Sequence, residues 1–155
     1  MRSNSGSGPI SILMADDDAD DRMLARDALE ECRLANHLYF VEDGEELLDF
    51  LKRRGRFTDP SSSPRPGIVL LDLNMPRKSG SEALREIKTD PDLCCIPVVV
   101  LTTSHSEADI MRSYELGANS YISKPVTFDG LVDVMKSLKH YWFEVVAVPH
   151  DAVMD

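Results

Sequence analysis

Five times along this chain a short apolar run rich in β-branched residues gives way to a segment of helical period, and that alternation leaves few folds open. The runs are ISILMA (10–15), LYFV (38–41), GIVLLD (67–72), IPVVVL (96–101) and SYIS (120–123). The third and fourth are almost unbroken apolar stretches, the pattern of strands covered by helices on both faces. Between and after them lie the helix candidates. Residues 20–34 set Leu24, Ala28 and Cys32 on one stripe, and residues 44–54 group Leu47, Leu48 and Leu51 ahead of the basic run Lys52, Arg53 and Arg54, which suits a helix C-terminus. Residues 81–88 offer Leu84 and Ile87, residues 106–116 offer Ile110 and Tyr114, and residues 127–142 carry Leu131, Met135 and Leu138. A repeated β-α unit implies an α/β fold: a parallel sheet with right-handed crossovers and helices on both faces. The Pro/Ser-rich TDPSSSPRPG (58–67) is long for a helix-to-strand connection and reads as an exposed loop.

A chain of 155 residues is expected to form one domain. Residues 1–9 read as a flexible leader, 10–143 as the domain, and 144–155 as a C-terminal extension with no output domain after it. With 17 basic against 27 acidic residues, the net charge of −10 argues against a nucleic-acid-binding surface. No run approaches the ~18 apolar residues of a membrane span, and no signal-peptide pattern opens the chain, so the cytoplasm is the expected location. Cys32, Cys94 and Cys95 are odd in number and lack zinc-ligand spacing, and they read as free thiols.

In an open parallel sheet, ligands bind beyond the carboxyl ends of the strands. Asp16 and Asp17 stand at the end of the first run, Asp72 ends the third, Thr102 follows the fourth and Lys124 the fifth. These residues are far apart in sequence and are predicted to meet at one edge. Two or three carboxylates without His or Cys favour a hard cation, and Mg²⁺ suits a site with few protein ligands. A carboxylate beside such a cation can attack a phosphoryl group to give an aspartyl-phosphate, with a lysine and a hydroxyl serving the phosphoryl oxygens. Asp72, Lys124 and Thr102 match those three roles. Blander readings apply to each residue alone. Asp18 or Asp20 is expected to cap the first helix, and Lys before Pro is common in loops. The stretch DDDADD (16–21) also mimics a calcium loop, but such a loop wants Gly and Glu where this chain has Asp21 and Asp27.

Taken together, ILMADDD (12–18), LLDLNMPRKSG (70–80), VVVLTTS (98–104) and YISKPV (121–126) resemble the receiver domain of two-component response regulators, from about Ile10 to about Tyr141. VEDGEELLDFLKRRG (41–55), the Pro-rich loop and the ending YWFEVVAVP (141–149) are similar to stand-alone receivers associated with phytochrome-type sensor histidine kinases. The resemblance implies a flavodoxin-like, doubly wound five-stranded sheet of order 2-1-3-4-5. It implies that Asp72 accepts a phosphoryl group from a kinase histidine and that Mg²⁺ is held by Asp17, Asp72 and the backbone carbonyl of Asn74, with Asp16 acting mainly through water. Lys124 and Thr102 would then bind the phosphoryl oxygens, and Tyr121 would be a switch aromatic that swings inward as Thr102 moves. The signal would leave through residues 106–116, Tyr121 and 127–139. A cis peptide is usual in the family at the position of Pro125. Ala15 replaces a bulkier residue and Thr103 a smaller one, while Asn74 and Ser104 occupy positions that tune self-dephosphorylation. With no output domain expected, the signal would pass by protein contact to an unidentified downstream protein. The apolar ending, with Tyr141, Trp142, Phe143, Val145 and Val146, is expected to support a homodimer.

The runner-up is a Mg²⁺-dependent phosphohydrolase with an aspartyl-phosphate intermediate. It would want an acid two residues after its nucleophile, where this chain has Asn74, and a cap insertion for which there is little room. On the leading reading the protein is a switch that transfers one phosphoryl group onto itself and slowly hydrolyses it, not an enzyme with a separate substrate.

Overall fold

The structure is a computed structural model, and it describes residues 10–32, 36–103 and 106–140. The leader, Ser104 and the apolar ending from Tyr141 onward lie outside the described residues. The strands are β1 (Ile12–Ala15), β2 (Leu38–Val41), β3 (Ile68–Leu71), β4 (Val98–Thr102) and β5 (Ser120–Ser123). The helices are α1 (Ala19–Glu31), α2 (Gly44–Lys52), α3 (Gly80–Thr89), α4 (Glu107–Glu115) and α5 (Phe128–Leu138). All strand pairs are parallel and the sheet order is β2-β1-β3-β4-β5, so the flavodoxin-like reading holds.

The apolar runs make strands because alternate residues serve two cores. Leu13, Ala15, Val69, Leu71, Val98 and Val100 face one core with Leu47, Leu84 and Ile87 of α2 and α3. Ile12, Met14, Ile68, Leu70, Val99 and Leu101 face the other, with Ala25, Ala28, Leu131 and Met135 of α1 and α5. β1, β3 and β4 are buried along their whole length.

Each helix starts on a side-chain cap. Asp18 accepts from the Asp20 and Asp21 amides at 2.8 and 3.4 Å, and Asp43 from Glu46 at 2.8 Å. Ser79 and Glu82 form a reciprocal capping box, and Ser106 and Thr127 cap α4 and α5. Gly80 opens α3 because the helix start presses on β3: a Cβ there would lie 2.2 Å from the Asp72 carbonyl oxygen.

Several boundaries and faces differ from expectation. The inward face of α1 is Ala25, Ala28 and Leu29, with Cys32 buried at its cap, whereas Leu24 is 41% exposed. The small alanines set the depth at which α1 meets α5, and Leu24 is left beside the β5–α5 loop. In α4 the buried residue is Ser113; Tyr114 is exposed and Ile110 half-buried. Phe50, absent from the expected stripe of α2, is buried between Tyr39 and Phe57, with ring centroids 5.8 and 5.2 Å away. Phe57 belongs to a short 3₁₀ turn, Gly55–Phe57, that precedes the Pro-rich loop. The Lys124–Pro125 peptide is trans, contrary to expectation.

Candidate functional site

Registry brings the strand ends level. The Asp72 amide donates to the Ala15 carbonyl at 3.0 Å, and Asp16 donates to Val41 at 3.0 Å. On the far side, the Lys124 amide donates to the Thr102 carbonyl at 2.7 Å. The C-terminal edges of β1, β3, β4 and β5 thus deliver Asp16, Asp72, Thr102 and Lys124 to one place, as the spacing predicts.

Asp72 is almost fully buried, and both its oxygens are engaged. Oδ1 accepts from the Thr102 hydroxyl at 2.9 Å and from the Asn74 backbone amide at 3.1 Å, while Oδ2 pairs with Lys124 Nζ at 3.2 Å. Lys124 also reaches Asp16 Oδ2 and Asp21 Oδ2, both at 2.7 Å. Its three ammonium donors therefore meet three carboxylates.

Asp16 is fully buried, and its Oδ1 accepts from the Asp18 amide at 2.9 Å. Burial pushes its carboxyl above the usual aspartate range, against the opposing pull of Lys124 and the Asp18 amide. Burial alone would lower the Lys124 ammonium, but the hydrogen bonds it donates to Asp16 and Asp21 outweigh it and raise Lys124 above the ordinary lysine value.

Asp17 is exposed at the mouth of the site. One oxygen from each of Asp16, Asp17 and Asp72 lies within 4.8 Å of the others, an all-oxygen set of the kind that holds a hard divalent cation. Asn74 is exposed, and its backbone amide is its contact to Asp72. Thr103 is exposed beside Thr102, whose hydroxyl is buried. Tyr121 lies on β5, two residues before Ser123, the register partner of Thr102, and packs against the core on the α2 and α3 side.

Asp21 was not foreseen as a site residue. It stands three residues past its N-cap, a position that ordinarily signals only helix capping, and its partner Lys124 is distant in sequence. The one available signal was surplus: the run holds more carboxylates than a cap and a cation pair require. The loop after β3 is also tied down unexpectedly. The Gly44 amide donates to the Lys78 carbonyl at 3.0 Å, and Arg77 pairs with the buried Asp43.

Fold and site together define a receiver, and the chain belongs to the response regulator receiver domain family, which matches residues 12–136. Among its relatives, Response regulator Rcp1 of Synechocystis is 40% identical over 147 residues, covering 95% of this chain and 98% of that protein. The crystal structure of Rcp1 in its Mn²⁺-bound form superposes with a TM-score of 0.82 at 40% identity, covering 91% of this chain and 99% of that one. The phosphorylated cyanobacterial phytochrome response regulator RcpA superposes with a TM-score of 0.85 at 37% identity, covering 92% and 99%. Its relatives thus include phytochrome-associated receivers. Among the described residues no helix is long and apolar enough to cross a membrane.

Proposed function

We propose that Asp72 is the phosphoacceptor of a signalling switch, and that the donor is a phosphohistidine of a sensor histidine kinase of the phytochrome type. The observation that carries this is the environment of one carboxylate. Asp72 is buried at a strand end, hydrogen-bonded by Thr102, paired with Lys124 and set beside Asp16 and Asp17. An Asp72 oxygen attacks phosphorus, the P–O bond forms as the P–N bond breaks, and the imidazole leaves with the bonding pair. Lys124 and the Thr102 hydroxyl neutralise and orient the transferred oxygens. When bound by Asp16, Asp17, Asp72 and the Asn74 carbonyl, Mg²⁺ supplies further charge neutralisation.

The donor is a protein on this reading, and the rim supports it. Leu24, Val126 and Phe128 are exposed apolar side chains grouped with Lys124 around one cleft. After transfer the Thr102 hydroxyl, already on Asp72, passes its hydrogen bond to the phosphoryl group, Tyr121 repacks beside it, and the face formed by α4, β5 and α5 changes shape for a downstream protein. The protein works in the cytoplasm.

The direct test is intact mass with Mg²⁺ and acetyl phosphate. One phosphoryl adduct per chain is expected, absent without Mg²⁺ and absent in Asp72→Asn. Phosphate released over many turnovers, without an adduct, would instead favour the phosphohydrolase. The C-terminal apolar residues further support a homodimer, expected as twice the 17.3 kDa chain mass in light scattering; a monomer mass at tens of micromolar would exclude it.

A further inference from the structure

The lysine of this site is shared unequally. Lys124 Nζ lies 2.7 Å from Asp16 and 2.7 Å from Asp21, but 3.2 Å from Asp72. Two of its three partners thus sit on the β1–α1 side, and the longest contact is the one to the acceptor carboxylate. Asp16 has a second duty, since its other oxygen holds the Asp18 amide. Asp21 reaches the ammonium from the first turn of α1, which is fixed by the Asp18 cap at one end and by packing of Ala25 and Ala28 at α5. The side chain of Asp21 is one-third exposed, while that of Lys124 is 11% exposed. The ammonium therefore lies inside the site and its tether at the rim.

We infer that Asp21 is a positioning residue that restrains Lys124 in the unphosphorylated receiver, competing with the phosphoryl group on Asp72 for the same ammonium. The inference rests on Asp72 being the phosphoacceptor. A phosphoryl group brings new oxygens into a site that already holds Asp16, Asp17 and Asp21, and Lys124 is the ammonium on hand to meet them. Every increment of attraction to Asp21 must be given up as the ammonium moves to those oxygens, and the fixed charge of Asp21 also repels the incoming group. Asp21 accordingly holds down phosphorylation at rest. An exposed-edge ion pair of this kind alters an equilibrium by about two- to five-fold.

The test compares wild type, Asp21→Asn and Asp21→Glu for the rate of adduct formation with acetyl phosphate and Mg²⁺, followed by intact mass. Asp21→Asn keeps the shape and removes the charge, and it should be labelled about two- to five-fold faster than wild type. Asp21→Glu should return toward the wild-type rate. A purely structural role gives the opposite sign, slower labelling with a lower melting temperature. Crystal structures of wild type and Asp21→Asn without metal or phosphodonor give a second readout: the Lys124 to Asp72 distance should shorten in the variant, to about 2.8 Å. If wild type is labelled on Asp72 and Asp21→Asn is labelled no faster, the restraint is wrong and the phosphoacceptor stands. If wild type takes no adduct, the phosphoacceptor reading itself fails, and the restraint with it.

Discussion

Lys124→Met should lower both stability and phosphoryl uptake, since this one ammonium meets three carboxylates of the site. Methionine keeps most of the stem and removes the ammonium, leaving Asp16, Asp21 and Asp72 facing one another, with Asp16 fully buried. Stripping the partner from a buried charge pair is strongly destabilising. Because Asp21 is partly solvated, the loss is set at about 2–4 kcal/mol, or about 4–16 °C in melting temperature for a domain of this size, measured in EDTA. Labelling by acetyl phosphate should slow at least ~100-fold, the scale for loss of one donor to a developing oxyanion. A variant as stable as wild type would show that the three carboxylates do not depend on the ammonium.

The pH dependence of that difference has a definite sign. The folded Lys124 is raised above its ordinary value of 10.5, so its stabilising contribution is complete below pH 10.5 and is lost only as pH climbs through the higher folded value. The wild-type advantage over Lys124→Met should therefore hold from neutrality to pH 10.5 and shrink beyond it. It should shrink in acid too. Asp16 is raised above its ordinary 3.8 by burial, so as pH falls it takes up its proton earlier than an exposed aspartate would, and one of the charges that needs Lys124 disappears.

Gly80→Ala carries the second large effect, through backbone rather than charge. The added methyl would lie 2.2 Å from the Asp72 carbonyl oxygen and 2.6 Å from the Leu73 Cα, and neither can rotate aside. The start of α3 must lift from the end of β3, at about 2–3 kcal/mol, or about 4–12 °C. The same shift moves the backbone that carries Asp72, so labelling should fall with stability. Gly55→Ala is the control. Its φ of +61° costs about 1 kcal/mol, but the nearest outside atom is 3.7 Å away and the site is remote, so labelling should be unchanged. Equal labelling in Gly80→Ala and wild type would mean that Asp72 is positioned independently of α3.

Fold and site were legible in the sequence to different depths. The sheet could be read because strand and helix periods alternate cleanly, and because a parallel sheet sends every strand end to the same edge. Asp16, Asp72, Thr102 and Lys124 were therefore placed together without knowledge of any contact. What failed was phase and reach. In α1 the periodicity placed Ala28 and Cys32 correctly but favoured Leu24, where helix packing instead buries Ala25 and Leu29. In α4 the inward position is taken by Ser113, which no hydrophobic pattern would choose. Asp21 escaped because its partner, Lys124, lies just past β5 and far away in sequence, and a helix-capping context is locally sufficient to explain an aspartate there.

Thr102 is bonded at both ends: its hydroxyl holds Asp72, while its carbonyl receives the Lys124 amide at the end of β5. Toward the interior the neighbouring strands are wholly buried, whereas β5 is half-exposed, and its register partners lie on one side only. The strand order thus gives β4 a fully buried neighbour on one side and a half-exposed edge strand on the other. On the proposed switch, a pull on Thr102 would meet close-packed β3 and β1 on the inner side and the half-exposed edge strand that carries Tyr121 on the outer side. On that proposal the output would have a direction before any partner binds, set by which side of β4 is closely packed.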